Sequence, residues 1–303
     1  MKSLLSISDL SVEEMLELFN LADKFRMGFG RDFLSGKCML SMFLQPSTRT
    51  RLSFTRAMQI LGGVVLDFGN AEISSLARGE TLPDTIKTIR EYDLDCIVFR
   101  HSVEYSASRV AELAYPIPVI NAGDGTNEHP TQALLDLYTL KKTFDRIDGL
   151  SIAIIGDLRN HRVAHSLLLA LSKFDVTLYL VSPLKLAMPR KYLKQAQRCN
   201  IVQILDGGIK EVFNKVDAIY ITPFIPYFES FYNKLRVFEE ISKEDHYLSR
   251  ESFESGGPVI LHPLPRHAEI NEDVDDLLQA KYFEQVKNGL YIRIAILYSI
   301  IKS

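Results

Sequence analysis

The sequence has few cysteines, little net charge and no apolar run long enough to cross a membrane. Its three cysteines, Cys38, Cys96 and Cys199, are far apart and form no C-x-x-C pair, which excludes a disulfide framework and a cysteine metal cluster. With 35 Lys and Arg against 38 Asp and Glu, the formal net charge is -3, so no basic field attracts nucleic acid. The apolar stretch 289–303 contains Arg293 and is shorter than the roughly 20 residues of a membrane-spanning helix. We therefore expect a cytoplasmic protein that binds neither nucleic acid nor membrane and holds any anionic ligand with local charge.

What the sequence does contain is an alternation of short apolar runs with longer segments of helical periodicity. Its 303 residues, 47% hydrophobic and 24% charged, are enough for two globular domains. Such β-branched runs between helices are typical of parallel strands that are buried on both faces. The pattern predicts an α/β fold with two domains, each a parallel sheet flanked by helices, joined by bridging helices. The candidate strands are 38–44, 64–68, 96–99, 119–121, 151–155, 177–181, 202–205, 218–221 and 259–261.

The segment that follows the first strand predicts an anion site. After Pro46, the run Ser47-Thr48-Arg49-Thr50 supplies hydroxyl groups and the N–H groups of a helix's first turn. The guanidinium of Arg49 can bind phosphate with two hydrogen bonds. The alternative interpretation is an ordinary helix cap with a solvated arginine.

Other strands also end in polar residues. The third candidate strand leads into Arg100 and His101, and the fourth into a loop with His129 and Gln132. The last strand leads into the sequence HPLPR at 262–266, where the prolines remove backbone donors and leave carbonyl acceptors. Because ligands of open parallel sheets bind beyond the carboxyl ends of the strands, these residues are candidates for one ligand site.

At these residues the sequence resembles the aspartate/ornithine carbamoyltransferase family, and within it most closely the aspartate enzymes. The matching stretches follow the family's order and span nearly the whole chain. They are PSTRTRLSF, SSLARGETLPDTI, VFRH, NAGDGTNEHPTQALLDLYT, GDLRNHRVAHSL and HPLPRHAEINEDVD.

The resemblance implies the division of the chain, its reaction and its partners. Residues 1–133 with 287–303 would bind carbamoyl phosphate, and residues 134–286 would bind the amino-acid acceptor. The carbamoyl group would pass to the acceptor's amino group, which in the aspartate enzymes serves pyrimidine biosynthesis. The family's catalytic chains form homotrimers with active sites shared between subunits, to which regulatory chains can bind. No cofactor or metal is implied.

The resemblance also implies which residues bind carbamoyl phosphate. Arg100, His129 and Thr50 would surround the carbonyl oxygen, where attack by an amine develops negative charge. Gln132 would accept from the carbamoyl NH2, and Arg49 and Thr50 would contact the phosphate. The catalytic residues would be these three together with Arg100 and His129. The full set is Ser47, Thr48, Arg49, Thr50, Ser75, Arg78, Arg100, His129, Gln132 and the carbonyls of Pro263 and Leu264. Ser75 and Arg78 belong to the loop that the family inserts into a neighbouring subunit's site.

The acceptor side departs from the family. Arg162 matches the arginine that binds the acceptor's α-carboxylate, and Leu264 would also contact the acceptor. Pro223, however, occupies the place of the arginine that binds the aspartate side chain. The remaining departures are Ile225 for a glutamine, Phe228 for a second arginine, Gln45 for a glutamate and Arg78 for a lysine.

These departures leave several hypotheses. The acceptor is L-aspartate, with its side-chain carboxylate bound by another arginine such as Arg159, Arg236 or Arg266, or it is an amino acid whose apolar or uncharged side chain contacts Phe224, Ile225 and Phe228. A third hypothesis is a non-catalytic paralogue that binds carbamoyl phosphate. A Rossmann nucleotide-binding enzyme is a distant fourth, because the strand-loop-helix at 152–160 lacks G-x-G-x-x-G.

Overall fold

A computed structural model describes residues 2–69, 74–196, 199–224, 247–254 and 256–302 of the chain. These fall into two compact units, one of Met1–Tyr138 with Val286–Ser303 and the other of Thr139–Gln285. The chain passes from one unit to the other within helix α5 (Pro130–Phe144) and within helix α8 (Tyr282–Ile301). The α/β class with two parallel sheets is confirmed, and the first change of unit falls inside α5 at Tyr138.

The sheet of the first unit has four parallel strands in the order β2-β1-β3-β4. The strands are β1 (Cys38–Phe43), β2 (Val64–Asp67), β3 (Cys96–His101) and β4 (Val119–Asp124). The helices that lie wholly in this unit are α1 (Val12–Arg26), α2 (Thr48–Ile60), α3 (Leu82–Ile89) and α4 (Ser106–Ala114).

Local sequence explains where these elements begin and what they bury. Ser11 and Glu14 form a capping box at the start of α1, with Ser11 Oγ accepting from the Glu14 N–H at 3.2 Å and Glu14 Oε2 accepting from the Ser11 N–H at 2.8 Å. Ile97 and Phe99 of β3 pack with Val110 of α4 in one apolar cluster. The sheet is therefore buried at its centre, while the edge strand β2 stays largely exposed.

The sheet of the second unit has five parallel strands in the order β7-β6-β5-β8-β9. The strands are β5 (Ser151–Ile155), β6 (Thr177–Ser182), β7 (Asn200–Leu205), β8 (Ala218–Ile221) and β9 (Val259–Leu261), and the helices between them are α6 (Arg162–Leu171) and α7 (Arg190–Gln195). Its core contains Ile155, Ile219 and Ile221 from adjacent strands. The strand order places the carboxyl ends of β5, β8 and β9 side by side.

Every candidate strand predicted from the sequence is present, but two ends differ in a way that concerns the site. β3 continues to His101, because Arg100 still pairs with Phe43 across the sheet, whereas the prediction ended at residue 99. β4 likewise continues to Asp124 instead of residue 121. Arg100 is thus fixed by sheet hydrogen bonding rather than by a loop. Across the described residues, no helix is both long and apolar enough to span a membrane.

Candidate active site

The turn from β1 into α2 presents a helix N-terminus without a side-chain cap. Ser47 has extended backbone, its hydroxyl makes no capping hydrogen bond, and the first turn of α2 has no acidic residue. Thr48 and Arg49 are exposed beside it. The first-turn N–H groups, the hydroxyls and the positive end of the helix dipole together favour a phosphate group here.

Sheet pairing fixes this turn beside Arg100. The Leu44 N–H donates to the Arg100 carbonyl at 2.9 Å, which continues the β1–β3 pairing to the start of the turn. The Arg100 side chain is buried, and its Nη1 donates to the Ala122 carbonyl on β4 at 3.0 Å. A guanidinium held in this way keeps its position when a ligand arrives, as an electrostatic catalyst requires.

His129 is buried between two threonine hydroxyls. Its Nε2 lies 3.4 Å from Thr50 Oγ1 and its Nδ1 lies 3.4 Å from Thr131 Oγ1. Two hydrogen bonds join the ends of the loop before His129. The Asp124 N–H donates to the Glu128 carbonyl, and the Glu128 N–H donates to Asp124 Oδ1, each at 3.1 Å. The structure therefore brings the predicted residues Thr50 and His129 together at the start of α5.

Gln132, in the first turn of α5, has its amide oriented by a residue one turn later. Its Nε2 donates to Asp136 Oδ1 at 2.9 Å, and both side chains are buried. Because a carboxylate only accepts, this contact leaves the Gln132 Oε1 as the acceptor for a ligand. Arg293, also buried in this unit, is attracted by the Asp136 charge, while burial lowers the pKa of Arg293 to about 10.

Ser75 and Arg78 are not part of this arrangement. They lie on a short 3-10 turn, Ser75–Arg78, and both side chains are exposed. His101, at the end of β3, has a local role instead: its Nδ1 accepts from the Val103 N–H at 2.9 Å, and burial lowers the pKa of its ring.

In the second unit, Arg162 is the first residue of α6 and is buried. The turn that leads to it is shaped by Asp157, whose Oδ1 accepts from the N–H groups of Arg159 at 3.1 Å and Asn160 at 3.0 Å. Burial raises the pKa of Asp157 despite these hydrogen bonds. The tight turn sets the start of α6 directly beyond the carboxyl end of β5.

Pro223 and Phe224 follow β8, and neither offers a polar side chain to an acceptor. Pro223 is buried, and the preceding Thr222 donates through Oγ1 to the Ile155 carbonyl at 3.1 Å. Phe224 packs in the core of the unit with Ile221. The hypothesis that an acceptor side chain contacts Phe224 stays a prediction, because burial alone does not distinguish a core residue from one that lines a site. Ile225 and Phe228 lie outside the described residues.

Pro263 and Leu264 follow β9 and are half-buried. Leu264 has φ +54°, in the left-handed region, and its N–H donates to His262 Nδ1 at 2.8 Å. By strand order, this loop lies next to Pro223 and one strand further from the turn that carries Arg162. Within the described ranges, no group of three or more His, Cys, Asp or Glu side chains is arranged to bind a metal ion.

Comparison with known proteins identifies the family. Residues 2–142 match the family model described as "Aspartate/ornithine carbamoyltransferase, carbamoyl-P binding domain", and residues 148–300 match its "Asp/Orn binding domain". The chain belongs to the aspartate/ornithine carbamoyltransferase family. Members of this carbamoyltransferase family are enzymes, so the expectation of an enzyme is confirmed.

Individual carbamoyltransferases match over almost their full length. The chain is 41% identical over 302 residues to the aspartate carbamoyltransferase catalytic subunit of Methanopyrus kandleri, covering 98% of this chain and 96% of that one. It is 42% identical over 307 residues to that of Methanocaldococcus jannaschii, with 100% and 98% covered.

Solved carbamoyltransferase structures agree with the fold. The catalytic subunit of M. jannaschii aspartate transcarbamoylase superposes with a TM-score of 0.88 at 40% identity, covering 100% of this chain and 98% of that one. Aspartate transcarbamoylase of Trypanosoma cruzi in complex with carbamoyl phosphate gives a TM-score of 0.90 at 35% identity, covering 99% and 95%.

Two side chains that the sequence analysis did not assign to the site, those of Asp136 and His262, contact residues that it did assign. Asp136 holds Gln132, and His262 contacts Leu264 while also pairing with Glu269. The spacing of Gln132 and Asp136, four residues apart on one helix face, was a usable signal. No spacing rule links His262 to Glu269, since the loop between them contains two prolines.

Proposed function

We propose that this carbamoyltransferase transfers the carbamoyl group of carbamoyl phosphate to the α-amino group of L-aspartate, in pyrimidine biosynthesis. The observation that carries the proposal is the cluster in the first unit, where Thr50 contacts His129 and the adjacent strand β3 ends in the anchored Arg100. The names of relatives about 40% identical over nearly the whole chain support aspartate as the acceptor.

The residues divide by the part of carbamoyl phosphate that they would bind. Ser47, Thr48, Arg49 and Thr50 bind the phosphate at the N-terminus of α2, where hydroxyls, first-turn N–H groups and a guanidinium can bind an anion. Thr50, Arg100 and His129 bind the carbamoyl carbonyl oxygen. The Oε1 of Gln132 and the carbonyls of Pro263 and Leu264 accept from the NH2 group, and Ser75 and Arg78 reach the site of a neighbouring subunit.

The proposed chemistry is addition followed by elimination. The neutral amine nitrogen attacks the carbamoyl carbon, and the carbonyl electron pair moves to oxygen, where Arg100 and His129 stabilise the charge. The carbonyl then re-forms as the bond to the phosphate oxygen breaks, and the amine proton passes to the departing phosphate. Binding and alignment supply most of the acceleration, because the reaction needs no covalent enzyme intermediate.

For the acceptor, Arg162 binds the α-carboxylate. Pro223 replaces the arginine that binds the aspartate side chain in the family, and two of the arginines that could take over this role have other partners. Arg266 forms an ion pair with Asp275, and Arg159 Nη1 donates to the Lys185 carbonyl at 3.3 Å. Arg236, outside the described residues, is the remaining candidate. The idea of an apolar acceptor finds no support in the relatives, which carry the aspartate name.

The proposal includes a cytoplasmic homotrimer with shared active sites, able to bind regulatory chains. Exposed apolar side chains on α2 and on the edge strand β2 support an interface: Leu52 is 62% exposed, Val64 61% and Leu66 41%. Exposed apolar side chains on and next to an edge strand are a recurrent sign of a partner surface.

The test is formation of N-carbamoyl amino acid and release of phosphate from carbamoyl phosphate, measured with L-aspartate and with a panel of other amino acids including ornithine. We expect both products with aspartate and neither above the acceptor-free blank with the rest. Turnover with another amino acid in place of aspartate would overturn the acceptor, and phosphate release with no amino acid at all would overturn the transfer reaction.

A further inference from the structure

We propose that His262 and Glu269 are positioning residues that hold the main chain of Leu264 so that its carbonyl oxygen can accept from the carbamoyl NH2 group. The proposal rests on the proposed function, because it concerns the same substrate. It assigns a role to two buried polar side chains that make no contact with substrate themselves. Four hydrogen bonds within the second unit carry it.

Leu264 has a backbone conformation that a leucine does not adopt without support. Its φ of +54° lies in the left-handed region, where the Cβ of a residue other than glycine comes close to the following carbonyl oxygen. The Leu264 N–H donates to His262 Nδ1 at 2.8 Å, and this contact spans two residues. A side chain that accepts from the N–H two residues later fixes the Pro263–Leu264 peptide plane. The Pro263 carbonyl lies in that plane and the Leu264 carbonyl projects from its far side, so the directions of both depend on the His262 ring.

The ring itself is fixed by Glu269. Because Nδ1 accepts from Leu264, the His262 proton is assigned to Nε2, which donates to Glu269 Oε1 at 2.8 Å. The same carboxylate oxygen accepts from the His267 N–H at 3.0 Å. The His262 N–H donates to Gln285 Oε1 at 2.8 Å, so the loop is held on both sides of the ring.

The burial of this pair argues for a role beyond stability. The side chains of His262 and Glu269 are 0% and 2% exposed. Burial raises the pKa of Glu269, but hydrogen bonds from His262 and from backbone N–H groups outweigh it and the pKa is lowered. A buried ionised carboxylate costs desolvation energy that an apolar side chain would avoid, so its presence is explained better by the geometry that it imposes.

The pair also lies beside the start of α6. His161, which precedes Arg162, is buried, and burial lowers its pKa to about 3. The charges of His165, His262 and Arg162 also lower this pKa, whereas the Glu269 carboxylate opposes the shift. The polar network at the carboxyl end of β9 thus extends to the turn that carries the proposed acceptor arginine. Misplacement by about 1 Å of a group that aligns substrate can cost about a hundredfold in rate.

Two pairs of variants test the proposal in the full-length protein. His262→Phe keeps the ring and removes the acceptor, whereas His262→Asn keeps an acceptor that can bind the N–H two residues later. Glu269→Met removes the acceptor for Nε2, whereas Glu269→Gln keeps one. We expect kcat/KM for carbamoyl phosphate to fall about a hundredfold in His262→Phe and at least tenfold in Glu269→Met. In His262→Asn and Glu269→Gln, kcat/KM should stay within about tenfold of the value for the unaltered chain. Their KM for carbamoyl phosphate should rise less than it does in His262→Phe and Glu269→Met.

Asp217→Ala is the matched control. Asp217 Oδ2 accepts from the Ser151 N–H, also at 2.8 Å, but at the amino end of the same sheet. We expect this variant to lower the melting temperature and leave kcat/KM unchanged. If His262→Phe or Glu269→Met loses as much thermal stability as Asp217→Ala yet keeps kcat/KM within twofold, the positioning role is wrong.

The two possible failures are distinguishable. Should the unaltered chain form no N-carbamoyl-L-aspartate, the proposed function fails. Should it be active while each variant matches its conservative partner in kcat/KM, only the positioning role fails. If His262→Phe does not fold, the Glu269→Met and Glu269→Gln pair decides, since the same order is expected of it.

Discussion

At the residue scale, the surroundings of His129 suit a hydrogen-bond donor to a developing oxyanion. The hydroxyl oxygens of Thr50 and Thr131 lie 3.4 Å from its two ring nitrogens. Both contacts are with neutral groups, and together they restrain the ring. We expect His129→Ala to lower kcat by roughly 10²–10³, the usual effect of removing one such donor, with a smaller change in KM for carbamoyl phosphate. Steady-state kinetics with carbamoyl phosphate varied at saturating acceptor measures both.

A second histidine at the same edge of the sheet is the control for this prediction. His101 accepts from the Val103 N–H, two residues later, and His101→Asn can keep that contact. Its kcat should stay within a few fold of the unaltered chain. Equal losses of kcat in the two histidine variants would contradict the assignment of His129 to the oxyanion.

The Asp136 carboxylate, which accepts from Gln132 and attracts the buried Arg293 charge, predicts a separation of stability from activity. Asp136→Leu leaves the Gln132 amide without this acceptor and removes the attraction on Arg293, which should lower the free energy of unfolding by about 1–3 kcal/mol. Adding Arg293→Met removes that charge, so the double variant should regain part of the stability. Activity should stay low in both, because Gln132 has lost the acceptor that orients its amide. Urea unfolding and kcat/KM, measured on the same preparations, test this prediction. If the double variant recovers both the free energy of unfolding and kcat/KM, Asp136 acts only through stability.

At the element scale, the segment between β9 and α8 is tied by Asp275. Arg266 forms a two-bond ion pair with this carboxylate, and the Tyr282 hydroxyl donates to it at the start of α8. The hydrogen bond from Arg266 is the main cause that lowers the pKa of Asp275, against the effect of burial. A carboxyl group with a lowered pKa in the folded state adds stability above its unfolded pKa of about 4, and this contribution is lost as the pH falls below that value.

We therefore expect Arg266→Met to lower the free energy of unfolding at pH 7 by about 1 kcal/mol or less, since both side chains remain partly in solvent. The difference from the unaltered chain should shrink as the pH falls below about 4. Urea titrations at a series of pH values measure it. Arg109→Met, which removes the exposed pair with Glu112, should show no difference at any pH, and a constant deficit in Arg266→Met would rule out the ion pair as its source.

Element type could be read from the sequence because its signals are local. The alternation of short apolar runs with segments of helical periodicity predicted both sheets, and the three-residue spacing of Ser11 and Glu14 is a local signal of the same kind for the start of α1. The end of β3 could not be read, because Arg100 continues the strand only through pairing with Phe43 on a strand distant in sequence. The position of Phe224 could not be read from the sequence either, because an apolar residue in a loop can contact a ligand or pack in the core.

The site follows the same division. Four of the predicted site residues follow the carboxyl ends of strands: Ser47, Thr50, Arg100 and His129. Ligands of open parallel sheets bind beyond these ends, so the sequence alone predicted that the four residues belong to one site. The contacts of Glu269 with His262 and of Asp136 with Gln132 depend on side-chain geometry inside the fold. Composition and periodicity carry no information about which buried carboxylate faces which partner.

At the scale of the whole molecule, the proposal that Ser75 and Arg78 serve a neighbouring subunit's site requires that both side chains be accessible, and both are exposed. Their turn follows β2, the exposed edge strand of the first sheet, so a neighbouring copy could receive them while covering Val64 and Leu66. In a closed ring of identical chains, each chain would donate this turn to one neighbour and receive it from the other.

This arrangement predicts complementation between two inactive variants. If the chain forms the proposed homotrimer, Arg78→Ala damages the donated turn and Arg100→Ala damages the receiving site, so each variant alone should have little activity. Unfolding and refolding the two together at equal concentration forms hybrids in which some sites combine an intact Arg100 with an intact Arg78 from the neighbour. With random mixing, about a quarter of all sites are intact, and the mixture should recover about that fraction of the original activity. Native mass spectrometry verifies that hybrids are present. If they are present and activity does not return, Arg78 acts within its own chain, because only an intramolecular site would carry a defect in every subunit of every hybrid.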